Sequence, residues 1–264
     1  MAIPLKIMLV GKVSSGKSSF INSLVGAFVS CVSLNRETFI PNIFIMSKKY
    51  NNEDITKIVN DLERMHESNC KIKKGEELPE SDVLKEFKVP SFFNFDVNIY
   101  DMPGISDVED TKNYVGKLIE ENLEKMDLVL FLIDAQYTFS GENEVNECNK
   151  ILGMMENVKK NKGIYTEFAI VLNKCDDVNC EEIFELHTQI SKKISCKNIF
   201  KFSNHEFMIQ NMVQQIHIPK FMEKEMNKVL KNNNIIGNYS YLPDKDIILS
   251  ERCIYHNLMI TVNV

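Results

Sequence analysis

Tryptophan does not occur in this chain of 264 residues, arginine occurs three times and glycine only ten. Twenty-eight asparagines accompany the scarcity of arginine and glycine, a bias that an AT-rich genome explains and that carries no function. No apolar run approaches the roughly 18 residues of a membrane-spanning helix. Met1–Val10 is apolar but short and has no small-residue cleavage site, so it reads as a first strand rather than a signal peptide. Positive charge is not in excess. Lys and Arg number 31 against 37 Asp and Glu, a net charge of −6, which argues against a general nucleic-acid or anionic-membrane surface. Cys-x-x-Cys pairs are missing, and the cysteines number seven, an odd count. The expectation is reduced thiols and a cytoplasmic location. Cys175, Cys180, His187 and Cys196 lie within 22 residues, but their spacing matches no common zinc finger.

Apolar runs alternate with helical patterns, which predicts an α/β fold: a three-layer α/β/α domain around a mostly parallel sheet. Strands are expected at Ile3–Val10, Asp96–Tyr100, Leu128–Ile133, Phe168–Leu172 and Ile199–Phe202, and helices at Ser18–Val25 and Glu142–Asn157. A charged insertion spans 50–90, with a helical pattern at Ile55, Ile58, Val59, Leu62 and Met65 and a solvated loop after it. Helical patterns recur over 206–215 and 220–231. The Met and Phe positions there (Phe207, Met208, Met212, Phe221, Met222, Met226) fit packing faces, and a membrane or partner-helix surface stays open. The expected organisation is a main domain over 1–232 and an appendage over 233–264.

Gly11-Lys12-Val13-Ser14-Ser15-Gly16-Lys17-Ser18 fits G-x-x-x-x-G-K-[ST], and Ser19 follows. The motif sits between an expected strand and an expected helix, as a phosphate-binding loop requires. Its glycines let successive N–H groups converge on phosphates, and the helix N-terminus adds its positive end. Lys17 is expected on the β- and γ-phosphates and Ser18 on Mg²⁺. Asp101-Met-Pro-Gly104 closes the strand at Asp96–Tyr100. Asp101 suits a water bound to Mg²⁺, and the Gly104 amide suits the γ-phosphate. Thr38 and Thr56 are the only threonines before Asp101, and Thr56 falls in a helical pattern, so Thr38 is the natural second Mg²⁺ ligand.

Asn173-Lys174-Cys175-Asp176 follows a buried strand and reads N-K-x-D. Asp176 can accept two hydrogen bonds from guanine, from N1–H and the exocyclic amine. Adenine would leave that carboxylate unpaired, a discrimination on the order of ten thousand. Asp177 adds some ambiguity of register, but N-K-x-D fits only Asp176. Lys174 can lie along the base, and Asn173 can tie the loop to the phosphate loop. Ser203-Asn204, after the last strand, stands where a backbone amide can meet guanine O6. The five histidines are scattered, with no serine or cysteine partner evident.

Three motifs in this order resemble a P-loop GTPase over roughly residues 3–205. The phosphate loop GKVSSGKSS, the sensor DMPG and the 63 residues from Thr38 to Asp101 resemble the dynamin-like group, with septin-like and immunity-related GTPases as near alternatives. The resemblance implies that GTP is bound with Mg²⁺ and hydrolysed to GDP and phosphate, faster when two nucleotide faces meet in a nucleotide-dependent homodimer. It implies a monovalent cation, K⁺ or Na⁺, at Ser14, and an attacking water on the Thr38 carbonyl. Arg36, two residues before Thr38, is placed to serve as an internal arginine finger, or in a loop salt bridge.

The departures are specific. Val13 stands where dynamins carry a glutamine, and Ile105 stands where small signalling GTPases carry one. Neither a bundle helix before the first strand nor a stalk after the domain is expected, so membrane remodelling and filament assembly are not expected to carry over. A second expectation therefore stands beside the first: a slow GTP-dependent switch that contacts a protein effector and needs a partner for hydrolysis. An ATP-using kinase or ATPase is disfavoured by N-K-x-D. Peripheral membrane contact stays open.

Overall fold

A computed structural model describes residues 3–25, 29–30, 41–50, 85–91, 93–105, 109–136, 142–175, 180–194, 196 and 198–204. All belong to the first of two units into which the chain divides, Met1–Gln214. The expected boundary at 232, the helical pattern over 55–65 and those over 206–231 lie outside the described residues.

The central strands form because their sequences are apolar on both faces. Strand β1 is Leu5–Gly11, β4 is Val97–Asp101, β5 is Leu128–Asp134 and β6 is Glu167–Asn173. In β5 (LVLFLID) every residue is buried. Strands β2 (Asn42–Met46), β3 (Lys85–Val89) and β7 (Ile199–Lys201) complete a seven-stranded sheet of order β3-β2-β4-β1-β5-β6-β7. From β4 to β7 all neighbours are parallel. Strand β2 runs antiparallel to β4, and β3 runs parallel to β2, so the outer two strands are reversed. The domain is therefore an α/β P-loop fold with a mostly parallel sheet, as the alternation of apolar runs predicts.

Helix α1 (Lys17–Val25) covers one face of the sheet with Phe20, Ile21, Leu24 and Val25. Helices α2 (Glu109–Leu123), α3 (Glu142–Lys162) and α4 (Cys180–Lys193) share the core of the opposite face. There Val115, Leu118 and Ile119 of α2, Ile151 of α3, and Ile183, Leu186 and Ile190 of α4 pack with Met8, Val10, Phe131 and Ile170. Helix α3 extends five residues past the expected end at Asn157. Its last turn carries Lys159, Lys160 and Lys162, favourable at the negative helix end. Gly163 closes it at φ 67°, its N–H donating to the Lys159 carbonyl at 2.9 Å, a left-handed cap.

The region 50–90 is corrected in one respect. Its last residues, Lys85–Val89, are a strand of the sheet rather than part of a charged insertion. Phe87 and Val89 point inward while Glu86 and Lys88 are exposed, the alternation of an edge strand that stays soluble through its charges. Residues 51–84 lie outside the described set.

Candidate functional site

Strand β1 ends at Gly11 and α1 begins at Lys17, so residues 12–16 must turn within one short loop. Gly11 (φ 149°), Ser14 (φ 65°) and Gly16 (φ 91°) have positive φ. A Cβ on Gly11 would lie 2.5 Å from the Leu132 carbonyl oxygen, and one on Gly16 would collide with the Asn173 side-chain amide. Glycine is the residue that fits both places. The Lys17 ammonium donates to the carbonyls of Gly11 (3.1 Å) and Lys12 (2.9 Å), which folds it over the loop. Ser15 is buried within the loop, Ser14 is exposed, and Ser19 lies in the first turn of α1.

The sensor segment after β4 is zipped to this loop through the main chain. The Ile105 N–H donates to the Gly11 carbonyl (3.1 Å), and the Val13 N–H donates to the Ile105 carbonyl (3.2 Å). A Cβ on Gly104 would meet Val13 Cα at 2.8 Å, so Gly104 lies directly against the phosphate loop. Ile105, the position without a glutamine, is buried in the core.

Asp101 ends β4 with no exposed surface. The Ser18 hydroxyl donates to its Oδ2 at 3.3 Å, and the Ser30 hydroxyl to the same oxygen at 3.5 Å. Burial pushes the Asp101 carboxyl up to about 6, against the Lys17 charge and both serine hydroxyls, which pull it down. Its other oxygen, Oδ1, is buried with no hydrogen-bond partner. A buried carboxylate with an unpartnered oxygen, beside a serine hydroxyl, is a hard oxygen-donor set of the kind that suits Mg²⁺.

At the other end, Asn173 closes β6 fully buried. Its side-chain N–H donates to the Ser15 carbonyl at 2.9 Å, and its side-chain oxygen accepts from the Asn204 N–H at 3.4 Å. The Asn204 side chain donates to the Gly16 carbonyl at 2.9 Å. Base loop and phosphate loop are thus tied together. Lys174 adopts φ 62° and its ammonium pairs with Asp134 at the end of β5. Ser203, half-buried, immediately precedes Asn204 in the chain. Lys12 reaches Glu144 of α3 at 4.0 Å, and burial pushes the Glu144 carboxyl up, with Lys12 opposing and Asp134 reinforcing.

Of the residues singled out by motif, Gly11–Ser19, Asp101, Gly104, Asn173, Lys174, Ser203 and Asn204 gather at the ends of β1, β4, β6 and β7. Arg36, Thr38, Asp176 and Asp177 lie outside the described residues. Motif spacing misses Ser30, Asp134 and the Asn22 clamp. The Asn22 side-chain oxygen accepts from the N–H groups of Val29 (2.8 Å) and Ser30 (2.7 Å), and its amide donates to the Ser30 carbonyl (2.8 Å). Only the Asp at the end of the LVLFLID run was a legible signal among these. Among the described residues no group of three or more His, Cys, Asp or Glu gathers around a metal position. Cys175 instead donates to the Leu172 carbonyl and Cys196 to the Asn198 carbonyl.

The model of the dynamin family matches residues 7–175. No curated protein matches the chain significantly. Among solved structures, Era from Aquifex aeolicus bound to GDP and aluminium fluoride is similar at 18% identity and TM-score 0.46, covering 81% of this chain and 57% of Era. An oligomerised bacterial dynamin pair, described as sensing and tethering membranes, is similar at 17% identity and TM-score 0.48, covering 89% of this chain and 37% of the other. A dimerisation-deficient mutant of Toc33 from Arabidopsis thaliana is similar at 15% identity and TM-score 0.48, covering 76% and 71%. The chain thus spans little more than half of Era and about a third of the bacterial dynamin. At these identities and TM-scores the likenesses carry no functional weight.

Proposed function

The chain belongs to the dynamin family, and from that premise we propose that it binds GTP and hydrolyses it to GDP and phosphate. One observation supports this most: the buried Asp101 carboxylate within reach of the Ser18 hydroxyl, under a loop whose Lys17 is folded onto it. Lys17 binds the β- and γ-phosphates and neutralises charge that develops between them. Ser18 and Asp101 hold Mg²⁺, with Thr38 as a further ligand. When bound, the ion spreads the negative charge of the phosphate oxygens. The Gly104 amide orients the γ-phosphate. Asn173 and Asn204 hold the base loop against the phosphate loop. Lys174 lies along the base, Asp176 accepts from its N1–H and amine, and the backbone at Ser203–Asn204 meets O6.

Hydrolysis also needs a water oriented for in-line attack. Val13 has an apolar side chain, and that of Ile105 is packed in the core, so neither orients one. That observation favours slow turnover by an isolated copy. The proposal is therefore completed by a nucleotide-dependent homodimer, with Arg36, the Thr38 carbonyl and a K⁺ or Na⁺ at Ser14 supplying positioning and charge. The alternative is a GTP-dependent switch whose effector supplies them. A cytoplasmic setting is part of the proposal, with Cys148, Cys175 and Cys196 outside any disulfide. Among the described residues no helix is long and apolar enough to cross a membrane.

GTP turnover per molecule, measured against protein concentration in potassium and then in sodium buffer, tests this. Specific activity that climbs with concentration supports the homodimer, and a cation effect implicates Ser14. Slow, flat activity in both buffers favours the switch.

A further inference from the structure

We propose that Asn42 is a further positioning residue of the cation site, holding a water of the bound divalent cation through its side-chain oxygen. The inference rests on the assignment of Asp101 to that cation. Asn42 opens β2 and pairs directly with Asp101, the last residue of β4, in the antiparallel register. Residues directly opposite in such a pair project from the same face, with Cβ atoms about 4.5–5.5 Å apart. The next pairs on that face are Phe44 with Ile99 and Met46 with Val97, all buried hydrocarbon. The two polar residues therefore stand together at the mouth of the sheet, on the side covered by α1.

Asn42 is 6% exposed and Asp101 not at all. Asn42 Oδ1 and Asp101 Oδ1 are both buried acceptors without a hydrogen-bond partner. The second Asp101 oxygen is already engaged by Ser18 and Ser30. Leaving a buried acceptor unpaired is unfavourable, and a leucine or valine at position 42 would continue the apolar face below it at no such cost. Two neighbouring acceptors that lack donors suit the hydrogens of a hydrated cation, since Mg²⁺ keeps several of its waters when bound. Partners of this outer kind typically govern metal affinity by about tenfold or more.

The test measures GDP affinity as a function of Mg²⁺ concentration, together with melting of the nucleotide-free protein in EDTA, for wild type, Asn42→Leu and Asn42→Asp. Asn42→Leu is expected to raise the half-saturating Mg²⁺ concentration about tenfold and to raise the melting temperature in EDTA. Asn42→Asp, which sets a second carboxylate against Asp101, is expected to lower the melting temperature in EDTA and to enlarge the rise on adding Mg²⁺. A residue with a merely structural role would instead lower the melting temperature in the leucine variant and leave the Mg²⁺ midpoint where it was. That result, or an aspartate variant with no enlarged Mg²⁺ response, overturns the proposal. If GDP binding by the wild type does not respond to Mg²⁺, the assignment of Asp101 to a cation fails as well, an outcome distinct from an unchanged midpoint in the variant.

Discussion

At the phosphate end of the site the loops are held main chain to main chain, Val13 and Ile105 bonding across the Gly11 and Gly104 positions. At the base end side chains do the holding: Asn173 and Asn204 reach the Ser15 and Gly16 carbonyls, and Lys174 pairs with Asp134. The first arrangement tolerates varied side chains but no added atom at its glycines. The second depends on two amides, and it too leaves no room for an added atom at Gly16, where a Cβ would meet the Asn173 amide. Their polar accounts differ too. Asp101 Oδ1 and Ser15 Oγ lack partners near the phosphate loop, whereas at the base end both side-chain polar atoms of Asn173 are satisfied and Asn204 Oδ1 alone of the two amides' oxygens is not. The phosphate end leaves a buried carboxylate oxygen for incoming charge, and the base end leaves one neutral amide oxygen.

That contrast can be broken in order of size. Lys17→Ala removes the ammonium folded onto the Gly11 and Lys12 carbonyls, and GTP turnover should fall by about 100-fold or more. Single-turnover phosphate release measures it. Gly104→Ala should act through position alone. Its Cβ would sit 2.8 Å from Val13 Cα, so the sensor must move, and turnover should drop on the order of tenfold, as displaced transition-state contacts do. GDP affinity should stay near wild type, since GDP lacks the γ-phosphate. An equal loss for GDP would mean that the whole loop had moved.

The base end should respond through stability. Asn173→Ala leaves the buried Ser15 carbonyl without its donor, a cost of about 1–3 kcal/mol. Melting should come several degrees lower, at roughly 2–4 °C per kcal/mol for a domain of this size. Asp134→Asn should be the mildest change. The Lys174 side chain is 32% exposed, so solvent already screens the pair. GDP should bind only about two- to fivefold more weakly, and the difference should shrink as salt is added.

The sequence made the phosphate end legible because the G-x-x-x-x-G-K-S spacing is itself the geometry: a strand, five turning residues and a helix. The apolar runs of β1, β5 and β6 were legible for a similar reason, being buried on both faces. Strand β2 was not, since Ile43–Met46 is a run of four, too short to tell strand from helix. Strand β3 (KEFKV) hides among charges, because an edge strand exposes alternate residues. Helices α2 and α4 carry their periods at Val115, Leu118, Ile119 and at Ile183, Leu186, Ile190, and neither helix bears a motif. The Asn22 clamp and the Asn42–Asp101 pairing depend on contacts across 7–8 and 59 residues of chain that no local pattern encodes.

The central claim is a guanine-nucleotide site, and equilibrium titration with GDP and ADP in Mg²⁺ tests it most directly. The account predicts that GDP binds and that ADP binds weaker by a factor on the order of ten thousand. Equal affinity for the two, or no binding of either, would contradict it.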